Sequence, residues 1–280
     1  MTDQPILYAE SSDGTRVAYR TFGSGRPVVF VGGALSTAEA AGPVAAAFAE
    51  AGMQGVAYDR RGRGESGDTA PYAPEREAED LRAVVDAVGG AAVVLGHSSG
   101  AVLSLFAAAA GVPMTHLFLS EPPLRFGRDE PPADLADRLQ ALVDRGENEE
   151  AVLLFLQEDV GMPEPVIEQL RGSPAFTGLV PLAQTTVYDN RLVASVSTPT
   201  AAMLGVDVPV TLLRGDPTLP LIVTAVERLA AAMPGTELVV VPESHDHGVD
   251  PGGTVREVRA RISATGCSPA AATTTSGHHQ

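Results

Sequence analysis

Short apolar runs recur along the chain, each closed by a turn signal and followed by a longer segment with helical spacing. Pro27–Val31, Gln54–Tyr58, Ala92–Leu95, His116–Ser120, Val208–Leu213 and Thr236–Val241 are such runs. Several are continuously apolar rather than alternating, the pattern of strands covered by helices on both faces. Strands of this kind alternating with helices predict an α/β chain built on a mostly parallel, doubly wound sheet. Ahead of them, Ile6–Glu10 and Arg16–Thr21 flank Ser-Ser-Asp-Gly-Thr, a hairpin turn signal. This antiparallel ribbon brings the expected sheet to about eight strands.

Between Ser120 and Val208 no strand pattern appears. The stretch ADLADRLQALVDRG places Leu135, Leu139, Leu142 and Val143 on one helical face, and EEAVLLFLQEDVG and PEPVIEQLRGS are two further amphipathic segments. Pro163, Pro165 and Pro174 punctuate them. The expected organisation is an α/β core over residues 1–121 and 206–263, with a helical lid inserted at 122–205. Residues 264–280, small and polar, are expected to be a disordered tail.

A chain of 280 residues accommodates one large domain with such an insertion. Thirty-five acidic against 19 basic side chains leave a net charge of −16, which repels phosphate backbones and anionic membranes. Nucleic-acid and membrane partners are therefore not expected, and oligomeric state leaves no signal. The single cysteine, Cys267, permits neither an intrachain disulfide nor a cysteine metal cluster. The segment MTDQPILYAE has no basic start or apolar signal core, and the longest apolar stretch is too short to span a bilayer. A cytoplasmic location is the expectation.

The pentapeptide GHSSG, Gly96 to Gly100, lies between the apolar run AAVVL and the helical AVLSLFAAAAG. Gly-x-Ser-x-Gly alone recurs by chance, but a strand before it and a helix after it are the context in which it exposes a nucleophile. Ser98 is thus the candidate nucleophile, with Gly96 and Gly100 keeping strand and helix from colliding with the turn. The helix N-terminus behind Ser98 favours negative charge developing there.

Four stretches in order, VVFVGGAL, YDRRGRGESG, VLGHSSGA and VVVPESHDHG, resemble the α/β-hydrolase superfamily over roughly residues 5–262. The resemblance implies the α/β-hydrolase fold with a lid, and a Ser-His-acid triad. In the family a His-Gly-x loop follows the first of these strands, and its backbone helps to hold an oxyanion. Here Gly32 replaces the histidine, and the implied donors are the N–H groups of Ala34 and Ser99. Asp59 to Ser66 matches the family's Asp-x-Arg-Gly-x-Gly-x-Ser turn. Its charges are expected to pin loops, with contact of Arg60, Arg61 or Arg63 with an anionic substrate as the alternative.

Histidine suits a base that activates serine near neutral pH. His278 and His279 lie in the tail, His116 begins a strand, and His97 is expected to point away from Ser98 into packing. Aligning VVVPESHDHG on the family's pattern selects His245, with His247 the alternative. The family's usual acid position, three residues beyond Gly215, holds Thr218, which leaves Asp216 in the right loop but out of register. Glu121, just past the strand ending at Ser120, occupies the other location. Glu121 is preferred and Asp216 stays a rival; Asp189 and Asp207 are weaker candidates.

The expected activity is that of a serine hydrolase of carboxylic-ester type. It would cleave a small, mostly apolar ester, lactone or thioester through an acyl-enzyme, without cofactor or metal. The alternatives are a carbon–carbon bond hydrolase or a biosynthetic cyclase or releasing enzyme on the same triad. A haloperoxidase-type side activity and a catalytically silent small-molecule binder are further readings. Leu153, Phe155, Leu156, Phe176 and Leu179 are candidate pocket walls, or simply the lid's own core.

Overall fold

The computed structural model describes residues 4–264; the expected tail, with Cys267, His278 and His279, lies outside the described residues. The chain opens with β1 (Leu7–Glu10) and β2 (Arg16–Phe22), joined by a turn in which the Ser11 N–H donates to the Thr15 carbonyl. It continues through β3 (Pro27–Val31), α1 (Ala38–Glu50), β4 (Gln54–Tyr58), α2 (Pro74–Ala87), β5 (Ala92–His97), α3 (Ser99–Ala109) and β6 (Met114–Ser120). A helical insertion follows. It contains α4 (Leu135–Asp144), α5 (Asn148–Glu158), α6 (Glu164–Arg171), α7 (Pro174–Leu179), a short 3₁₀ helix (Val180–Leu182), α8 (Ala183–Ser195) and α9 (Ala201–Leu204). The described chain ends with β7 (Val210–Gly215), α10 (Pro220–Ala232), β8 (Glu237–Val241) and α11 (Pro251–Ala264).

All eight strands form one sheet in the order β1-β2-β4-β3-β5-β6-β7-β8. β2 is antiparallel to β1 and β4, and β3 to β8 run parallel. The strand expected from Val208 starts at Val210 instead, because Pro209 has no N–H for the ladder.

The continuous apolar runs follow from two covered faces. In β3, Val29 and Val31 enter a core shared with α2, α3 and α10, including Leu81, Val102 and Val226. The alternating Val28 and Phe30 enter the opposite core with Val44 and Phe48 of α1 and Val258 of α11. α3 is buried along most of its length, which is why its sequence is apolar nearly all round. The insertion has its own core, with Leu135 and Leu139 of α4 one helical turn apart against Val152, Phe155, Phe176 and Val187. Ala34 and Leu35, in the loop after β3, pack against that core and tie the insertion to the sheet.

α8 carries no clear apolar stripe, and the sequence reading did not pick it out. Its buried surface includes Thr185, Thr186, Asp189 and Asn190. No helix among the described residues is long and apolar enough to cross a membrane.

The direction of winding sets where a site can form. The chain steps from β3 outward to β4, then returns past β3 to β5, so the strand order reverses between β3 and β5. Loops leaving two such strands diverge and open a crevice at the carboxyl edge of the sheet. Here those loops begin with Gly32 and Ser98.

Candidate active site

Ser98 is the single residue between β5 and α3, with φ 54° and ψ −126°, a strained backbone for a side-chain-bearing residue. Its N–H donates to the Ser120 carbonyl at 2.9 Å, and its carbonyl accepts from Ala101 at 2.9 Å. The turn is this tight only because of the glycines. A Cβ on Gly96 would stand 2.5 Å from the Gly100 carbonyl oxygen, and one on Gly100 would stand 2.2 Å from that of Val31.

The histidine at Ser98 is His247, not His245. His247 Nε2 lies 2.9 Å from Ser98 Oγ, whereas His245 is exposed with its Nδ1 3.1 Å from the Asp216 carbonyl oxygen. The reason lies in the turn after β8, where the Gly248 N–H donates to the His245 carbonyl at 2.8 Å. Asp246 and His247 both have positive φ, 50° and 63°, and this turns the chain so that the later histidine faces the nucleophile.

Of the two acids, Glu121 reaches the histidine: its Oε2 lies 2.5 Å from His247 Nδ1. Asp216 is exposed and offers His245 its backbone carbonyl. A carboxylate only accepts, so Nδ1 carries the proton and Nε2 is left to accept from the Ser98 hydroxyl. Thr218, at the position where an aspartate was expected, donates to Glu121 Oε2 at 3.0 Å, and the Gly215 N–H donates to Oε1 at 2.7 Å. Burial alone would raise the Glu121 carboxyl. The hydrogen bonds from His247, Gly215 and Thr218 outweigh it and hold the group below the usual carboxylate value.

His97 does more than pack. Its Nε2–H donates to the His247 carbonyl at 3.0 Å, and its ring lies 4.9 Å from the His247 ring. Desolvation, with the neighbouring His247, pushes its pKa down to about 3, so it serves as a neutral donor. His97, Glu121 and His247 offer ligand atoms within 4.8 Å of one another. Each is already engaged in the hydrogen bonds just described: Glu121 and the His247 ring form a chain to Ser98, and His97 holds the His247 backbone. His116 lies elsewhere, bonded to Thr211 Oγ1 at 3.0 Å and stacked on Phe118.

Arg60, Arg61 and Arg63 are buried and paired. Arg61 binds Asp80 and Asp13, and Arg60 binds Glu77. Arg60 and Arg63 also converge on Asp189 of α8, at 2.8 and 2.7 Å, and that carboxylate accepts from Ser99 Oγ at 2.7 Å. The same guanidiniums hold the loop after β3: Arg60 donates to the Gly32 carbonyl at 3.3 Å and Arg63 to that of Gly33 at 2.7 Å. Because the peptide is planar and trans, fixing the Gly33 carbonyl on Arg63 turns the Ala34 N–H the opposite way. Ser99 opens α3, so its N–H is one of the helix's free donors. Gly33 comes so close to Ser98 that an added Cβ would lie 2.9 Å from the serine Cβ.

A profile described as the alpha/beta hydrolase family matches residues 28–257. The chain belongs to the alpha/beta hydrolase family. An alpha/beta hydrolase from Sphaerobacter thermophilus is 41% identical with a TM-score of 0.84, the match covering 90% of this chain and 98% of that one. An esterase from a Rhodococcus species shares the fold at 23% identity and a TM-score of 0.64, over 92% and 98% of the two chains. A non-heme haloperoxidase from Rhodococcus erythropolis is 34% identical over 95 residues, which is 33% of this chain. The match spans about a third, 35%, of that relative's length.

In this alpha/beta hydrolase, Ser98 and His247 line two cavities. The wider, about 360 Å³, is lined by Phe30, Val44, Leu156 and Val249 among others. The narrower, about 60 Å³, is walled by Val160, Val193, Leu221 and Ile222, with Arg125 and Asp159 also in its lining. Ala34, Phe155 and Val160 border both. Of the expected wall residues, Phe155 and Leu156 thus face the site. Phe176 is buried in the insertion's core, and Leu153 and Leu179 pack against it.

Proposed function

We propose that the protein is a serine hydrolase acting by acyl transfer to water, with Ser98 as nucleophile, His247 as base and Glu121 as its orienting acid. The observation that carries this reading is the unbroken relay from Glu121 through His247 to Ser98, at 2.5 and 2.9 Å. His247 takes the Ser98 proton as Oγ attacks a carbonyl carbon, and Glu121 stabilises the imidazolium that forms. The N–H groups of Ala34 and Ser99 receive the developing oxyanion. His247 then protonates the leaving group and deprotonates the water that releases the acid. The apolar walls of the two cavities that Ser98 lines favour a small, mostly apolar ester, lactone or thioester, and the insertion acts as a lid over it.

A reporter-ester assay tests the proposal. The intact protein turns over short-chain esters and is labelled at Ser98 by a fluorophosphonate. Ser98→Ala abolishes both, and turnover that survives the substitution overturns the assignment. The haloperoxidase relative supports a second reading, in which hydrogen peroxide takes the place of water in releasing the acyl group from Ser98 and the peracid so formed oxidises halide, returning to the carboxylic acid. A monochlorodimedone assay with acetate, peroxide and bromide decides it, with Ser98→Ala as control.

A further inference from the structure

Asp159, the residue that caps the C-terminal end of α5, is 8% exposed and lines the narrow cavity together with Ser98 and His247. Its carboxylate has one hydrogen-bond partner among the described residues, the Asn190 side-chain amide at 3.3 Å. No arginine or histidine nitrogen comes within ion-pair distance of it among the described residues, although buried carboxylates are normally paired. Asp189, more fully enclosed on α8, shows the ordinary solution, with two arginines and a serine hydroxyl on its oxygens.

Arg125 shares the cavity wall, but it is spent elsewhere. Its guanidinium donates to the backbone carbonyls of Asp129 and Asp159, which secures the chain at the end of α5. Asp159 is therefore a buried acceptor with spare capacity, facing the space beside the nucleophile. Burial pushes its carboxyl up to about 6, against the opposing pull of Asn190 and Arg125. A net charge of −16 adds a long-range field that draws cations toward the molecule and repels anions.

We infer that Asp159 is the specificity residue of the narrow cavity and that the substrate carries a protonated amine on the portion of the ester seated there. The inference rests on the serine-hydrolase reading of the site. The ammonium supplies the direct ion-pair partner that the Asp159 carboxylate lacks while Arg125 is held on two backbone carbonyls, and the apolar walls hold the intervening carbons. The uncharged portion of the ester takes the wider apolar cavity that Ser98 also lines.

The test compares ω-amino esters of graded length with isosteres in which a methyl group replaces the ammonium, placed in either the acyl or the alcohol portion. A third series ends in a carboxylate. In the wild type, kcat/KM for the best amino ester exceeds that of its methyl isostere by about tenfold or more, and the gain lies in KM. Asp159→Asn keeps shape and can still accept from Asn190, and it lowers that ratio about tenfold; Asp159→Glu restores part of it. A merely structural role for Asp159 depresses both esters together and leaves the ratio unchanged, which overturns the inference. So does a wild type that prefers the methyl isostere in both portions. Preference for the carboxylate series also overturns it and moves recognition to Arg125. Failure of the hydrolase reading is separate: no ester is turned over and Ser98 is not labelled. Calorimetric binding of the same pairs to Ser98→Ala protein then still decides whether the cavity selects the cation.

Discussion

Two consecutive left-handed residues, Asp246 and His247, bring the imidazole to Ser98, and His97 holds the second of them by its carbonyl. Such backbone costs of order 1–3 kcal/mol per residue and persists only where neighbours over-determine it. Here the Asp246 N–H on the Pro217 carbonyl, the His97 bond and the Glu121 bond share that task. The two loop histidines are therefore not interchangeable. His247→Ala should lower kcat by about 10⁴–10⁶-fold, the scale of losing a triad base. His245→Ala should leave kcat within about twofold, because its ring is exposed and its one hydrogen bond among the described residues is to a backbone carbonyl. Steady-state kinetics on a reporter ester checks both. The reverse ranking returns the base to His245.

At the scale of elements, the site depends on a helix that belongs to none of the strands carrying it. Asp189 on α8 reaches Ser99 on α3 directly, and through Arg63 it is one bond from the Gly33 carbonyl in the loop after β3. One buried carboxylate thus braces both segments whose N–H groups are proposed to hold the oxyanion. Asp189→Asn should destabilise the fold by about 3–5 kcal/mol, since it leaves Arg63 buried without its counter-charge. In the molecules that remain folded, kcat should fall by about ten- to hundredfold with KM little changed, because the donors face the transition state more than the substrate. Calorimetry and kinetics on the same preparation separate the two effects. A loss of stability with kcat intact limits Asp189 to a structural brace.

Over the whole molecule, the excess of 16 negative charges is carried by a chain whose buried arginines already have partners, so it acts at the surface as self-repulsion. Added salt screens that repulsion over a Debye length of about 10 Å at 0.1 M and leaves the buried pairs nearly untouched. The melting temperature should therefore rise by a few degrees between about 20 and 300 mM NaCl. A fall in scanning calorimetry would mean that exposed pairs such as Arg256–Glu243 and Arg261–Glu237 outweigh the repulsion.

The sheet, its winding and the serine turn were legible in the sequence because each rests on local rules. Val28 to Val31 must feed two cores in alternation, and Gly96 and Gly100 admit a turn that no side chain would permit. Thr218 was legible as a departure in the acid loop, and its bond to Glu121 now explains it. Three features were not legible. The choice of His247 depends on how the turn from His245 to Gly248 closes, a matter of backbone dihedrals that a count from Pro242 misses. α8 carries its buried polar residues without an apolar stripe, because those residues are satisfied by partners far along the chain. The convergence of Arg60 and Arg63 on Asp189 spans more than 120 residues, from 60 and 63 to 189. Periodicity and the steric clearance at Gly96 act between near neighbours and were determined by the sequence alone. Which histidine, which carboxylate and which cavity wall meet at Ser98 was decided by the tertiary structure, because hydrogen bonds and ion pairs are specified only once distant segments are packed.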